Sequence, residues 1–274
     1  MKFFNFYFFA TILIILCACK KEESFNDENQ IQIEFSKETV LATCFYSKIC
    51  QISLNELKYI KLPEEIISDQ IEVNSAHDSC AIVSYSLDIS NNFIQQLNII
   101  YNDTNCNSIG RRKFGKLKVY LTGLFDKVGT KITIIPEAFF IDNKKVEGTI
   151  IISNLSSEED YINKYKKEVI DGKICIDNDY FTWQGYSFIS FDYLNEELTY
   201  ETQANVISIN GRPYELETMT PLVTEFNCLN FKSGELELKS NWGLAQELDF
   251  GNGDCDNKGQ LLQGNKVVEI KLIL

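Results

Sequence analysis

Histidine is almost missing from this chain: His77 stands alone among 274 residues, in the polar run Asn74–Ser79 and with no positioned nucleophile beside it. A Ser-His-Asp relay therefore has almost nothing to work with. No Gly-x-Ser-x-Gly elbow, phosphate-binding loop or dinucleotide fingerprint occurs, so no cofactor is expected. There is no Cys-x-x-Cys pair, and with one histidine a structural zinc is excluded as well. Basic charge is short too, with 26 Lys+Arg against 39 Asp+Glu. The longest basic cluster is Arg111-Arg112-Lys113, so the surface repels nucleic acid, and no nucleic-acid partner is expected. The most apolar run, Phe3 to Leu16, stops at Lys20-Lys21-Glu22-Glu23. That is short of the roughly 20 residues a membrane-crossing helix needs.

What is present begins with that run. Lys2, then mostly apolar residues broken by Asn5 and Thr11, then small residues near a break, form the three-part pattern of a secretory signal. Its end, Leu16-Cys17-Ala18-Cys19, resembles the lipobox of bacterial lipoproteins. An aliphatic residue stands three before the cleavage point, a small one just before it, and Cys19 follows. A lipobox implies a diacylglyceryl thioether on Cys19, and two acyl chains anchor stably where one does not. The charged start Cys-Lys-Lys-Glu-Glu-Ser is similar to the export tags of surface lipoproteins, or is simply a solvated tether. Expected boundaries are a signal peptide over 1–18, lipidated Cys19 with a flexible tether over 19–40, a first β-rich half over 41–154 and a second over 155–274. The halves are compatible with one continuous domain. The expected address is the cell envelope, as an outer-membrane lipoprotein on its periplasmic face or at the cell surface.

Of the nine cysteines, Cys17 leaves with the signal and Cys19 carries lipid, so seven remain, an odd number. An oxidising compartment favours disulfides. Two stretches line up over a long span: Ser79-Cys80 through Cys106, and Asn227-Cys228 through Cys255. After the second cysteine both continue Cys-x3-Gly-x4-Gly, through Gly110 and Gly115 or Gly259 and Gly264, then a lysine and an alternating apolar run. This internal duplication predicts Cys80–Cys106 and Cys228–Cys255 disulfides, each bridging a strand–turn–strand unit. Loops of that size contribute on the order of 3–4 kcal/mol apiece. Cys44 and Cys50 form the natural third pair, which leaves Cys175 as a buried small apolar residue.

Strand patterning supports an all-β class. Lys116–Thr122 alternates, Lys131–Pro136 and Glu147–Ser153 are β-branched runs around an Asp142-Asn143 turn, and Tyr180–Tyr193 is an aromatic run interrupted at Gln184-Gly185. Val206–Ile209, Asn210-Gly211 and Tyr214–Thr218 read as a hairpin with a tight turn. Gly234–Lys239 and Lys266–Leu272 close the chain with strands. The expected fold is antiparallel, a sandwich or extended meander built from two related disulfide-stapled halves. Helix is scarce: Ser53-Leu54-Asn55-Glu56 reads as a capping box opening one short helix, and Ser157–Lys167 is ambiguous.

Several segments resemble a lipoprotein family of Bacteroidetes-type bacteria with no established activity. They are Cys80-Ala81-Ile82-Val83, Gly110–Lys116, Val146–Thr149, Phe181–Gly185, Thr220–Val223 and above all Asp249-Phe250-Gly251-Asn252-Gly253-Asp254-Cys255-Asp256-Asn257-Lys258. The similarity covers residues 75 to 274. It implies an exported, β-rich protein and supplies no catalytic residues.

Asn252, Asp254 and Asp256 crowd oxygens that would suit calcium, but the spacing is not that of an EF-hand. A tight turn needs the same residue types, so the turn is preferred and no metal is expected. Trp183 and Trp242, beside Gly185 and Gly243, are candidates for a stacking surface. The functional expectation is a non-enzymatic β scaffold, tethered to the membrane, that binds a glycan or partner protein. The alternatives are a structural or assembly factor of the outer membrane acting through a strand edge, and a glycan hydrolase using a carboxylate pair.

Overall fold

Alternation of apolar and polar residues sets the architecture. In strand after strand every second side chain turns inward: Leu117, Val119, Ile132, Ile134, Ile150 and Ile152 are all at 0% exposure. Such a strand has one face to bury and one to wet. The computed structural model describes residues 23–60, 70–75, 78–88, 93–102, 107–108, 111–157, 162–192, 194–195, 197–225, 228, 230–241, 243 and 245–271. Cys17, Cys19, His77, Cys106 and Trp242 lie outside the described residues.

Among the described residues one helix, α1 (Glu23–Tyr59), precedes every strand. The strands are β1 (Gln70–Asn74), β2 (Ile82–Asp88), β3 (Phe93–Tyr101), β4 (Asn107–Ser108), β5 (Arg111–Leu121), β6 (Lys131–Ile141), β7 (Lys144–Asn154) and β8 (Ile162–Ile176). They continue with β9 (Asp179–Asp192), β10 (Glu197–Ile207), β11 (Pro213–Glu225), β12 (Ser233–Ser240), β13 (Gln246–Asn252), β14 (Lys258–Gln263) and β15 (Lys266–Lys271). Apart from β4, which pairs β5 off the main path, each strand hydrogen-bonds to the next in chain order, antiparallel throughout. The all-β expectation holds, in its meander form. The expected division at 154/155 falls between β7 and β8, which pair from Lys145↔Cys175 to Asn154↔Tyr165.

The sheet curls around α1. Four consecutive residues of one helical turn, set about 100° apart around the axis, find partners on four different elements. Cys44 reaches the backbone of Phe231 before β12. The Phe45 ring lies under Arg111 of β5 at 5.8 Å, and the Tyr46 hydroxyl donates to the Glu147 carbonyl of β7 at 2.9 Å. Ser47 accepts from the Lys167 amine of β8 at 3.4 Å. Phe45, Tyr46 and Ile49 are buried, but so are Ser36, Glu38, Thr43 and Gln51, and from Glu38 to Ser47 the helix has no solvent face.

Several expectations are corrected by this arrangement. The stretch assigned to a flexible tether is helical from Glu23, and Phe35 and Val40 are buried in the core. Ser53 does not open a short helix. It lies inside α1, where its hydroxyl donates to the Ile49 carbonyl at 2.9 Å. Cys44 and Cys50 are free, because six residues of helix separate two Cα atoms by about 9 Å along the axis, beyond disulfide reach. Gln184-Gly185 does not interrupt the aromatic run; β9 passes through both with Gly185 paired to Ala204. Of the ambiguous Ser157–Lys167 stretch, Ile162 to Lys167 belong to β8, and residues 158–161 lie outside the described residues. The Asn210-Gly211 turn is wider than two residues: pairing ends at Ile207↔Pro213, and Gly211 takes a φ of +71°.

Of the two predicted links, Cys228–Cys255 is formed, with Cα atoms 5.8 Å apart. It brackets the β12–β13 hairpin. Cys80 is disulfide-bonded, and its expected partner Cys106 lies outside the described residues. After the second cysteine position the duplicated segments part ways, since the apolar run from Lys116 pairs directly with β3 as part of β5, whereas its counterpart from Lys266, β15, pairs with β14 and not with β13.

Glycine allows the tightest contact between sheet and helix. A Cβ on Gly172 would lie 2.3 Å from the Trp183 carbonyl oxygen and 2.7 Å from the Tyr46 hydroxyl, at the point where β8 bulges against β7 and β9. Since both neighbours are in the packed centre, Gly172→Ala is expected to cost about 2–4 kcal/mol. Urea unfolding of the variant measures this, and an unchanged midpoint would show that helix and sheet are not in this close contact.

Candidate functional site

Strand parity divides β9 into two faces. Phe181, Trp183, Ile189 and Phe191 point inward and are buried, which leaves Tyr180, Tyr186 and Phe188 outside. Trp183, at 3% exposure, is a core residue and not part of a stacking surface. The outward aromatics take that place. Tyr186 and Phe188 meet edge-on with ring centroids 5.7 Å apart.

They edge two contiguous grooves of about 340 and 400 Å³ on the outer face of β9–β11. The register puts Tyr186, Gln203, Glu217 and Glu237 side by side on four adjacent strands. Their side chains form a relay. The Tyr186 hydroxyl donates to Gln203 Oε1, Gln203 Nε2 donates to Glu217 Oε2 at 3.5 Å, and Lys239 Nζ bonds Glu217 Oε1 at 2.6 Å and Glu237 Oε2 at 2.9 Å. Lys166 lies over the Tyr186 ring at 5.4 Å, and Met219 stands 59% exposed on the far side. The Lys239 ammonium bonded to Glu217 holds that carboxyl below the usual carboxylate range. The row thus offers a π-face, amide donors and acceptors, and an ionised carboxylate spaced by adjacent strands about 4.8 Å apart.

The carboxyl groups whose affinity for a proton is raised are elsewhere, inside the curled sheet. Burial pushes Glu38 up to about 7, against the lowering effect of the Ile209 backbone N–H, with Glu34 raising it further. Burial also raises Glu56, which accepts from the Ser75 hydroxyl at 2.5 Å. Near it a closed ion cluster joins Lys113 to Asp78 at 2.8 Å, with the Tyr101 hydroxyl on the same carboxylate oxygen at 3.1 Å. Burial, with Lys113 and Arg111 nearby, pulls Lys48 down to about 8. The thiols of Cys44 and Cys50 are pushed up to about 12 and 11 by burial, far from a reactive thiolate. Cys175 is free and half-buried.

The candidate calcium residues serve a turn. Asp256 Oδ1 accepts from the Lys258 backbone N–H at 2.9 Å, Asp254 contributes its carbonyl to the Asp256 N–H, and Asn252 pairs with Ser233 at the end of β13. No cluster of metal-binding side chains occurs among the described residues. Parity could have identified Tyr186 and Phe188 once Phe181 and Trp183 were assigned inward, but composition alone does not say which parity faces the core. Comparison with known protein families, curated proteins and solved structures finds no match for this chain.

Glu38 titrates differently folded and unfolded, which fixes a pH dependence. The unfolded carboxyl loses its proton near 4.5 and the folded one near 7, so the contribution to stability is full below pH 4.5 and is lost as pH rises to about 7. The loss is at most roughly 3 kcal/mol. Glu38→Gln retains an acceptor for Ile209 and is expected to flatten this part of the profile. Urea midpoints at pH 4.5, 6 and 7.5 decide it; equal slopes in both proteins would rule out Glu38 as the source.

Proposed function

We propose that this protein is a cell-envelope lipoprotein whose rigid β scaffold binds a glycan along the outer grooves of β9–β11. The observation that carries the reading is the Tyr186–Phe188 aromatic edge joined to the Gln203–Glu217–Lys239 relay, which pairs a stacking surface with sugar-type hydrogen-bonding partners. Net charge of −13 and the exposed glutamates of the grooves repel acidic polysaccharide, so a neutral or amino-bearing glycan is the better fit. Hydrolysis fits less well than binding. A glycosidase needs a carboxyl that keeps its proton at the bond to be cut. In the grooves Glu217 is held ionised, while the raised carboxyls Glu38 and Glu56 are inside.

A second reading, an assembly factor recognising another envelope protein, is favoured by the sheet edges. β1 and β15 end the hydrogen-bonded order among the described residues, and Val73, Val267 and Val268 on them are exposed.

Calorimetry with neutral oligosaccharides chosen from a glycan array should give saturable binding that falls at least tenfold in Tyr186→Ala and Phe188→Ala without loss of the folded state. Binding that survives both changes moves the site elsewhere. No sugar binding, together with an envelope protein held through β1 or β15, favours the second reading. For the address, mass spectrometry of membrane fractions should find a diacylglyceryl group on Cys19, lost in Cys19→Ser with release of the protein from the membrane. An unmodified Cys19 in the wild-type chain excludes the anchor.

A further inference from the structure

Between the C-terminal half of α1 and strands β8–β10 lies an internal slot of about 40 Å³, walled by Leu54, Tyr165, Ile189, Phe191, Leu198 and Tyr200. By the volume one water-sized group occupies, it has room for about three such groups, the size of a three-carbon tail. Asn55 and Lys58 of α1 and Phe125 after β5 stand at its mouth.

Strand register shows what lies at the other end. Tyr165, Ile189 and Tyr200 pair side by side on β8, β9 and β10 and form one inward row of the wall. The next inward row, two residues or about 6.7 Å along the strands, is Lys167, Ser187 and Thr202, again paired side by side. All three are buried, at 3%, 1% and 3% exposure. One row beyond the slot's wall there is therefore a polar layer inside the core.

Lys167 dominates that layer. Its amine donates to the Ser47 hydroxyl at 3.4 Å and lies 5.5 Å from the centre of the Tyr200 ring. The Tyr200 hydroxyl is hydrogen-bonded by Gln51 and Ser47, so Lys167, Ser47, Tyr200 and Gln51 form one connected cluster, of which Tyr200 and Gln51 reach the slot. Among the described residues no carboxylate pairs with Lys167. A buried cation without a counter-ion costs several kcal/mol, and burial indeed pulls this amine down. Ser187 and Thr202 satisfy each other at 2.9 Å and do not compensate it.

The geometry points to a second ligand site, separate from the outer grooves: the slot takes a short monocarboxylic acid, its apolar tail against Leu54, Ile189 and Leu198 and its carboxyl turned to Lys167, Ser47, Tyr200 and Gln51. The acid supplies the counter-ion that the fold omits. On binding, the carboxylate pairs with the Lys167 ammonium, and no covalent bond is made or broken. The size of the slot restricts the tail to a few carbons.

Butyrate and 1-butanol are the discriminating probes, since they share a tail and differ in the head. Titrated into the full chain with labelled methyl groups, butyrate should shift Ile189 and Leu198 and bind at least tenfold more tightly than 1-butanol. Lys167→Met, which keeps the volume and removes the amine, should bring butyrate to the level of 1-butanol while leaving 1-butanol unchanged. Leu198→Trp fills the slot with Lys167 intact and should abolish both, which keeps the test decisive if Lys167→Met fails to fold. Equal binding of the two probes overturns the inference. So does butyrate binding that Lys58→Met removes and Lys167→Met leaves alone, because the carboxylate would then sit at the mouth. Failure of glycan binding at Tyr186 bears on none of these readouts.

Discussion

The long sheet depends on a single helix filling its interior. A meander of fourteen strands presents a continuous inner face of Val, Ile, Leu and aromatic side chains, and among the described residues no second sheet covers it. Residues 35 to 57 of α1 take that position, buried on every side from 38 to 47 rather than on one stripe. Curvature follows from this. To touch Phe45 from β5, Tyr46 from β7 and Ser47 from β8 at once, the strands must coil around the helix axis, and bulges opposite Gly115, Gly148 and Gly172 are where the pairing register gives way to let them.

That mode of burial explains what the sequence revealed and what it concealed. Strands were legible wherever one face is wet, because Leu117-Lys118-Val119 or Leu236-Glu237-Leu238 can mean little else. The Cys228–Cys255 link was legible from the duplication. The helix was not. A surface helix shows itself by a polar face, and between Phe35 and Leu57 only Lys37 of α1 is exposed: Ser36, Glu38, Thr43, Ser47 and Gln51 are interior residues, and distant strands supply Tyr214 to Glu38 and Lys167 to Ser47. Read locally, such a stretch looks like a polar tether followed by a cysteine pair. Only the tertiary partners make those residues core.

The same partition governs the two candidate sites. On the outer face, side chains of alternate parity stand in rows across strands, and any function there is a matter of which residues happen to be adjacent in register, as Tyr186, Gln203 and Glu217 are. Trp183, one parity removed, was an appealing candidate by residue type and is excluded by geometry. On the inner face a polar residue must be matched by the helix or remain a liability, and most are matched: Glu38 accepts from Ile209 and Tyr214, and Lys113 meets Asp78. Lys167 is distinguished by meeting a hydroxyl and the Tyr200 ring but, among the described residues, no carboxylate.

Stabilisation changes character toward the end of the sheet. The helix reaches as far as Tyr214 in β11 and the backbone of Phe231, where hydrogen bonds and ring stacking on Phe35 fix its N-terminal part. Beyond that point inward residues become fewer, and in β15 only Ile270 of six is buried. The Cys228–Cys255 bridge lies in that region, closing the β12–β13 hairpin just where packing against the helix thins out. A covalent link lowers the entropy of the unfolded chain without needing any apolar surface, so it does for the last strands what α1 does for the central ones. On this view the bridge and the helix are complementary means of holding one sheet, and a reducing environment would loosen the C-terminal strands while leaving the helix-filled centre intact.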